Sequence, residues 1–188
     1  MPSETVVDLC SGTGGLSEAF VKAGWNVVRV DNDRRFSKVP YTVIADVVKA
    51  SHGWSESGLP EITPPTVVVA GPVCTEYSLA RNFHPELKGK APDLDLWRAC
   101  RFIADWFDAP LILENVAGAQ RWWGKSTWHW GAFHIWDDLG PTRVPGRAPL
   151  KEGNQFTPGH RAPHLRATVP LKLSEAILRQ VQRMGSLT

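Results

Sequence analysis

The sequence has few cysteines, no long apolar run and little net charge, and each shortage excludes a class of protein. Three cysteines in 188 residues cannot form a disulfide framework, and their spacing does not match a zinc site. No apolar stretch approaches the roughly 20 residues that a membrane-spanning helix needs. The N-terminal residues MPSETVVDLC do not resemble a signal peptide. We therefore expect a cytoplasmic protein with reduced thiols, no membrane association and no metal.

The formal net charge of +2 conceals an uneven distribution of charge along the chain. Residues 1–114 contain 11 Lys+Arg and 15 Asp+Glu, whereas residues 115–188 contain 10 and 4. A basic, Trp-containing second part fits contact with an anionic partner such as nucleic acid. A solvated basic face explains the same counts. A hydrophobic content of 43% suits one packed domain and argues against overall disorder.

Short β-branched runs alternate with helical patterns through the first two thirds of the chain. The pattern predicts helices at 16–23 and 95–107 and strands at 5–9, 26–31, 41–45, 66–70 and 111–114. Apolar strands without polar alternation are typical of a parallel sheet that is covered on both faces. The predicted fold class is therefore α/β, Rossmann-like, with a mostly parallel sheet and helices on both faces.

The character of the sequence changes after residue 116. Five tryptophans fall between residues 122 and 136, a further strand is predicted at 132–136, and a proline-containing arm follows at 140–170. An amphipathic helix is predicted at 173–184. The Trp cluster fits a small hydrophobic subcore and a base-stacking surface equally well.

A Gly-rich turn follows the first predicted strand, in VVDLCSGTGGLSEAF. Its spacing differs from the dinucleotide fingerprint, and it lacks the lysine of a P-loop. A turn with acidic neighbours and no cation suits a cationic nucleoside such as S-adenosylmethionine better than a phosphate. Asp31, at the end of the second strand, is placed to accept both ribose hydroxyls, and Asp46, after the third, to approach the adenine. A simple tight turn between strand and helix is the alternative.

Two further motifs, AGPVCTEYS and ILENVAG, also follow predicted strands. They bring Cys74 and Glu114 to the carboxyl edge of a parallel sheet, where such folds bind ligands. A thiol there becomes nucleophilic if its pKa is lowered, and a half-buried Glu114 with a raised pKa suits a proton donor. A structural role for Cys74 and a capping role for Asn115 are the alternatives. Packing is expected for the other cysteines, Cys10 and Cys100.

These motifs, taken in order, resemble those of the C5-cytosine-specific DNA methyltransferases. DLCSGTGG resembles the first motif of the family, with Asp31 as the second. GPVCTEYS resembles the Pro-Pro-Cys loop, LENVAG the Glu-Asn-Val motif, and VPLKLSEAI the last motif, whose helix packs beside the cofactor loop. The resemblance extends from residue 5 to about 120 and from about 168 to the end. It implies the S-adenosylmethionine-dependent methyltransferase form of the Rossmann-like fold.

The resemblance also implies a role for each motif residue. Cys74 would add to C6 of cytosine, Glu114 would hold the exocyclic amine and N3, and Asn115 would orient the Cys74 loop. A cytosine in duplex DNA would first be flipped out of the helix. The implied cofactor-binding residues are Asp8, Leu9, Ser11, Gly12, Gly14, Gly15, Leu16, Asp31, Asn32, Asp46 and Pro72. The implied substrate-binding residues are Ser78, Arg81 and Val116.

The chain departs from the family pattern at four points. Val73 replaces the second proline of the Pro-Pro-Cys loop, and Thr75 replaces the usual glutamine. The Gln-x-Arg-x-Arg motif is not found, although Arg121, Lys125 and His129 are candidates for its base-contacting arginine. The target-recognition region is short. We therefore divide the chain into a cofactor-binding and catalytic domain (1–120), a Trp/Pro/Arg-rich recognition arm (121–168) and a C-terminal helix that packs back on the domain (169–188).

The predicted function is a compact DNA cytosine C5-methyltransferase of low or short sequence specificity, located in the cytoplasm or, for a viral protein, in the host cytoplasm. One alternative keeps the chemistry but acts on a free cytosine nucleotide or on RNA. Another is a catalytically weak nucleic-acid-binding subunit that needs a partner. Retention of Cys74, Glu114 and the Gly-rich turn argues against the last.

Overall fold

The fold is described from a computed structural model, over residues 4–78, 90–149 and 168–185. The predicted substrate residue Arg81 lies outside these ranges. The strands are β1 (Thr5–Leu9), β2 (Asn26–Asp31), β3 (Thr42–Ile44), β4 (Val67–Ala70), β5 (Leu111–Asn115), β6 (Trp128–Trp130) and β7 (Phe133–Asp137). The helices are α1 (Glu18–Lys22), α2 (Val47–Ala50), α3 (Asp95–Trp106), α4 (Gln120–Trp123) and α5 (Leu171–Gly185), with 3₁₀ turns at Arg34–Phe36, Ser55–Ser57, Cys74–Glu76 and Ala117–Ala119.

The strands form one seven-stranded sheet in the order β3-β2-β1-β4-β5-β7-β6. The strands β1 to β5 pair in parallel, whereas β7 runs antiparallel to both β5 and β6. The mostly parallel α/β prediction is therefore confirmed. The strand order reverses between β1 and β4, and open α/β sheets generally bind their ligands at the carboxyl ends of the strands beside such a point.

Each face of the sheet is covered by its own set of helices. Alternate strand residues such as Val7, Val68 and Leu113 pack with α2 and α3 on one face. Their neighbours, such as Val69 and Ile112, pack with α1 and α5 on the other. Both faces of the central strands are apolar because helices cover the sheet on each side, as expected of buried parallel strands.

The main departures from the sequence prediction lie after β5. The structure adds strand β6, which joins β7 through a two-residue turn in which Gly131 has a φ of 60°. These two strands complete the sheet, so the sheet runs across the predicted domain boundary at residue 120. The division of function at that boundary stays a prediction.

The Trp cluster contributes mainly to packing. Of the two interpretations given above, the structure favours the hydrophobic subcore over the base-stacking surface. Trp123 and Trp136 pack on the face covered by α3, and Trp128 and Trp130 pack on the opposite face. All four are at least nine-tenths buried, so the base-stacking interpretation fails for them. Trp122 is half-buried. Within the part of the chain described above, none of the helices has the length and apolar character that a bilayer-spanning segment requires.

Candidate active site

The residues singled out in the sequence gather at the carboxyl ends of four neighbouring strands. Asp31 ends β2, the Gly-rich turn (residues 11–15) follows β1, the Cys74 loop (residues 71–78) follows β4, and Asn115 ends β5. These strands are adjacent in the order β2-β1-β4-β5. The sheet therefore places the three motifs side by side along one edge.

The side-chain carboxylate of Asp31 binds a backbone amide of the Gly-rich turn. Its Oδ2 accepts a hydrogen bond from the Gly12 amide at 2.8 Å, and its Oδ1 accepts one from the Asp33 amide at 2.8 Å. Within the turn, the Gly14 amide donates to the Ser11 carbonyl at 2.7 Å. The Asp31 carboxylate therefore fixes the approach of the turn to β2, and its predicted contact with a ribose stays a prediction.

A buried polar group lies directly behind the turn. The Asp8 carboxyl accepts a hydrogen bond from the Ser17 hydroxyl at 2.5 Å, and Ser17 in turn accepts one from Arg29 Nε at 2.8 Å. Burial raises the pKa of Asp8 to about 6, against the opposing effects of Ser17 and Arg29. The three side chains form a continuous polar connection from β1 to β2 beneath the turn.

Two predicted cofactor residues, Asp8 and Leu9, have no exposed surface. Asp8 supports the turn from behind and Leu9 packs in the core, and a contact of either residue with a cofactor stays a prediction. Asp46 is half-buried and its Oδ1 accepts from the Val48 and Lys49 amides, so it begins α2 as an N-cap. A contact between Asp46 and an adenine stays a prediction.

The remaining predicted cofactor residues surround the turn with different exposures. Gly12 and Gly15 are half-buried, Gly14 and Leu16 are buried, and Asn32 is exposed. The Ser11 hydroxyl is buried and has no hydrogen-bond partner among the described residues. Such an unsatisfied group is uncommon in native structures, and it belongs to the turn that the sequence predicts as a cofactor site.

The Cys74 loop is held against β5 by two contacts. The Asn115 side chain, fully buried, donates from Nδ2 to the Pro72 carbonyl at 2.9 Å. A Cβ built on Gly118 would overlap the Tyr77 carbonyl oxygen, so only glycine permits this approach of the two loops. Asn115 therefore contacts the Cys74 loop as the resemblance implies, and it does not cap the 3₁₀ turn after it, whose N-cap is Val116.

Cys74 and Glu114 are placed on these adjoining segments. Cys74 opens a 3₁₀ turn, is half-buried, and its carbonyl accepts from the Ser78 amide at 2.9 Å. Glu114 lies in β5 and is 8% exposed, and Val116, the next predicted substrate residue, is half-buried. The roles of these residues toward a substrate stay predictions.

The other two cysteines contact each other instead of the open edge. The Cys100 thiol and burial raise the pKa of Cys10 well above its ordinary value. A thiol with a raised pKa is a poor nucleophile at neutral pH. Packing, as expected from the sequence, is the role that these surroundings favour for Cys10 and Cys100.

The candidates for the missing base-contacting arginine lie beyond β5. The Arg121 guanidinium lies 5.1 Å from the Trp122 ring centroid, and Lys125 is exposed. The exposed His129 stacks on His134 across the β6–β7 pair, with ring centroids 5.0 Å apart. The role of these three candidates toward a base stays a prediction.

The C-terminal helix α5 lies beside the Gly-rich turn. The Ser174 hydroxyl donates to the Leu16 carbonyl at 2.6 Å and accepts from the Ala19 amide at 3.0 Å. A Cβ on Gly15 would collide with the Val169 backbone. The last motif thus supports the first from across the chain.

Sequence reasoning overlooked four residues that hold the site together: Ser17, Arg29, Gly118 and Ser174. An arginine inside the apolar run NVVRVD was a signal, because a buried charge requires partners. The partners themselves come from other elements, which the sequence alone does not bring together.

Comparisons with known proteins include distant structural likenesses. No family model matches the chain, and no curated protein matches it. A solved structure described as an E. coli prophage-encoded DNA modification methyltransferase matches at 22% identity and a TM-score of 0.42, over 62% of this chain and 33% of that one. A triple mutant of DNMT2 from Spodoptera frugiperda matches at 17% identity and a TM-score of 0.39, over 63% and 37%. This chain thus spans about a third of each, and likeness at this level says nothing of its substrate.

Proposed function

We propose that the chain is an S-adenosylmethionine-dependent methyltransferase that methylates C5 of cytosine in DNA, with Cys74 as nucleophile. The observation that carries the proposal is the joining of the Gly-rich turn, the Cys74 loop and the segment from Glu114 to Gly118 at neighbouring strand ends. Asn115 and Gly118 lock two of these segments together. A constellation in which a nucleophile, a carboxyl group and a ligand-binding turn share one sheet edge is typical of an active site.

The surroundings of the Gly-rich turn fit a nucleoside cofactor. Ser11 offers a buried hydroxyl that lacks a partner among the described residues. The exposed Asn32 directly follows Asp31, whose carboxylate binds the Gly12 amide of the turn. The carboxylates of Asp31 and Asp46 favour a cationic ligand over a phosphate. We assign the hold on the cofactor to Ser11, Gly12, Gly14, Gly15, Leu16, Asp31, Asn32, Asp46 and Pro72. When bound, S-adenosylmethionine would supply an electrophilic methyl group.

The chemistry of this chain's residues follows from their types and placement. The Cys74 thiolate forms a bond to C6 of cytosine, which moves electron density to C5 and N3. Glu114 donates a hydrogen bond or a proton at N3 and accepts one from the exocyclic amine as that charge develops. After methylation, a water molecule or hydroxide ion from solvent takes the C5 proton, and the electron pair of that bond forms the C5–C6 double bond. The bond between C6 and sulfur breaks, its electron pair leaves with Cys74 as thiolate, and Glu114 takes back any proton that it gave to N3.

Asn115 contributes by positioning. Its bond to the Pro72 carbonyl fixes the residue two positions before Cys74, which limits the paths the thiol can take. Ser78 and Val116, which flank the two segments, are assigned to the substrate, and Arg81 is proposed with them from the sequence. A nucleophile held within a fraction of an ångström reacts far faster than a mobile one.

A second candidate, methylation of a free cytosine nucleotide or of RNA, is favoured by one observation. Residues 128–137 of the predicted recognition arm form two strands of the sheet, and their tryptophans are buried. Residues 128–137 therefore present no exposed tryptophan ring to a duplex. A small substrate needs no such surface, since the pocket alone can recognise it.

The deciding experiment measures transfer of a labelled methyl group from S-adenosylmethionine to duplex DNA, single-stranded DNA, RNA and free dCMP or dCTP. We expect label in DNA, lost by at least about a thousandfold in Cys74→Ala while cofactor affinity stays within about twofold. Cys100→Ala, which removes a buried thiol of α3, is the matched control and should retain activity. Label in the mononucleotide would favour the second candidate.

No transfer to any substrate, together with no binding of cofactor, would refute the proposal and favour a binding subunit that needs a partner. A Cys74→Ala protein that still transfers methyl groups would remove Cys74 from the mechanism.

A further inference from the structure

Arg29 is a charged side chain in the middle of the buried strand β2. It is 2% exposed, and charged residues are almost never buried without partners. Arg29 lies two residues after Val27 on β2, so it faces the same side of the sheet as Val27, the side covered by α1 and α5. The molecule must therefore gain something from Arg29 that an apolar residue would not provide.

The partners of the Arg29 guanidinium account for its burial. Its Nη2 donates to the Gly14 carbonyl at 2.9 Å and to Glu18 Oε2 at 3.3 Å, its Nε to the Ser17 hydroxyl at 2.8 Å, and its Nη1 to the Pro40 carbonyl at 3.1 Å. The rigid planar fork of arginine suits such divergent acceptors, whereas lysine concentrates its donors at one atom.

One of these acceptors, the Gly14 carbonyl, belongs to the Gly-rich turn, and another, the Ser17 hydroxyl, lies two residues after the turn. Gly14 has a φ of 79°, and a Cβ at this position would overlap the Arg29 guanidinium. The Gly14 carbonyl is thus bound from behind the turn, which fixes the plane of its peptide group. Ser17 joins the same guanidinium to the Asp8 carboxyl.

The front of the turn is fixed by a different residue. The Gly12 amide is bound to Asp31 at 2.8 Å, and Asp31 lies two residues beyond Arg29 on β2. Alternate residues of one strand therefore hold both sides of the turn, Asp31 at Gly12 and Arg29 at Gly14. Both anchor to the same rigid element, which is how precise binding sites are built.

We propose that Arg29 is a positioning residue for cofactor binding: its guanidinium holds the Gly14 carbonyl and Ser17 so that the Gly-rich turn is preformed before the ligand arrives. The inference rests on the proposed function, because it takes the turn to be the cofactor site. Arg29 has almost no exposed surface, so it acts through the turn and does not touch the ligand.

The test compares Arg29→Lys with Arg101→Lys. Arg101 donates to both carboxylate oxygens of Asp138 at 2.6 and 3.0 Å, so the control makes the same substitution at a hydrogen-bonded arginine away from the turn. We expect Arg29→Lys to weaken binding of S-adenosylhomocysteine by about tenfold, measured by calorimetry. We also expect KM for S-adenosylmethionine to rise similarly with kcat within about twofold, and neither to change in Arg101→Lys.

A ligand-free measurement separates this inference from the proposed function. Hydrogen exchange at the Gly12 and Gly14 amides should accelerate in Arg29→Lys, while exchange within β4 stays as in the wild type. If wild-type protein binds no S-adenosyl ligand, the proposed function fails and the cofactor role of Arg29 fails with it. If wild-type protein binds and Arg29→Lys binds equally well, only the Arg29 inference is overturned.

Ser17→Ala provides a second variant in case Arg29→Lys does not fold. It removes the hydroxyl that joins Arg29 to Asp8 while leaving the arginine in place. We expect its affinity for S-adenosylhomocysteine to fall about threefold, with thermal stability used to verify folding. Unchanged affinity in a folded Ser17→Ala protein, with unchanged exchange at Gly14, would overturn the inference.

Discussion

The two halves of the sheet use their unusual residues for different purposes. In the first half, formed by the parallel strands β1 to β5, Asp31 and Arg29 on β2 and Asn115 on β5 bind loop backbone through their side chains. In the β6–β7 hairpin, the tryptophans fill the two apolar faces. In the first half, polar side chains thus hold loops in place, while in the second half the tryptophan rings complete the core. Among the described residues, the groups that we propose to bind ligands lie in the first half.

The largest expected effect tests the packing role of the hairpin. Trp128 is buried and donates from Nε1 to Asp137 Oδ2 at 2.9 Å. Trp128→Ala should lower the free energy of unfolding by about 3–5 kcal/mol, because it removes a large buried ring. Trp122→Ala, at a half-buried ring, should cost less than about 1 kcal/mol. Urea unfolding of both variants checks the contrast.

A smaller loss for Trp128 than for Trp122 would reverse the assignment of the hairpin to the core. The same pair of variants addresses nucleic-acid stacking. A fall in affinity for single-stranded DNA in Trp122→Ala, with Trp128→Ala unaffected when folded, would leave stacking to the one ring that is not buried.

The strands of the first half could be predicted because the first and last residues of each apolar run mark the ends of the strand. The runs TVVDL and NVVRVD match β1 and β2 residue for residue. Strand β6 was missed because WHW is too short for a pattern and its partner lies three residues further on. Helix α1 begins at Glu18 and not at Leu16, since the turn residues before it keep non-helical geometry.

The sequence predicts which residues lie near the site, but it does not predict the contacts between distant segments that hold those residues in place. Sequence places Cys74, Glu114 and the Gly-rich turn after strands, and parallel strands end at one edge. It does not reveal that Asp8 is buried beneath the turn or that Arg29 binds Gly14. Those facts depend on how α1 packs over β1 and β2, which no local pattern encodes.

Buried carboxyl groups offer the next comparison between the halves. Burial raises the pKa of Asp8 from its ordinary value of 3.8 to about 6, and burial also raises the pKa of Asp137 in the hairpin. A carboxyl with a raised folded-state pKa binds its proton more tightly when folded. The free energy of unfolding therefore falls as pH rises from about 4 to about 6, by about 3 kcal/mol from Asp8.

Asp8→Asn should remove this part of the pH dependence, which denaturant unfolding between pH 4 and 7 would measure. Asp137→Asn is the matched variant in the other half and should remove only its own share. A slope that survives in Asp8→Asn but disappears in Asp137→Asn would place the main titrating group in the hairpin.

The smallest of the three effects concerns Gly118, which lies against the Tyr77 carbonyl in the first half. Gly118 has an ordinary φ, so alanine is opposed there only by the Tyr77 carbonyl. Gly118→Ala should push the Cys74 loop from Asn115 and lower kcat about a hundredfold, since small displacements of a nucleophile are costly. Affinity for S-adenosylhomocysteine should change less than about twofold, because Gly118 does not contact the Gly-rich turn.

Gly185→Ala is the control for that substitution, because a Cβ there meets no heavy atom within 4 Å. It should leave kcat and cofactor affinity as in the wild type. Full activity in Gly118→Ala would mean that the two loops can separate without consequence, and the contact between them would then be packing of the kind found in the hairpin. A loss confined to kcat would instead mark the first half as the part of the sheet in which geometry is held for chemistry.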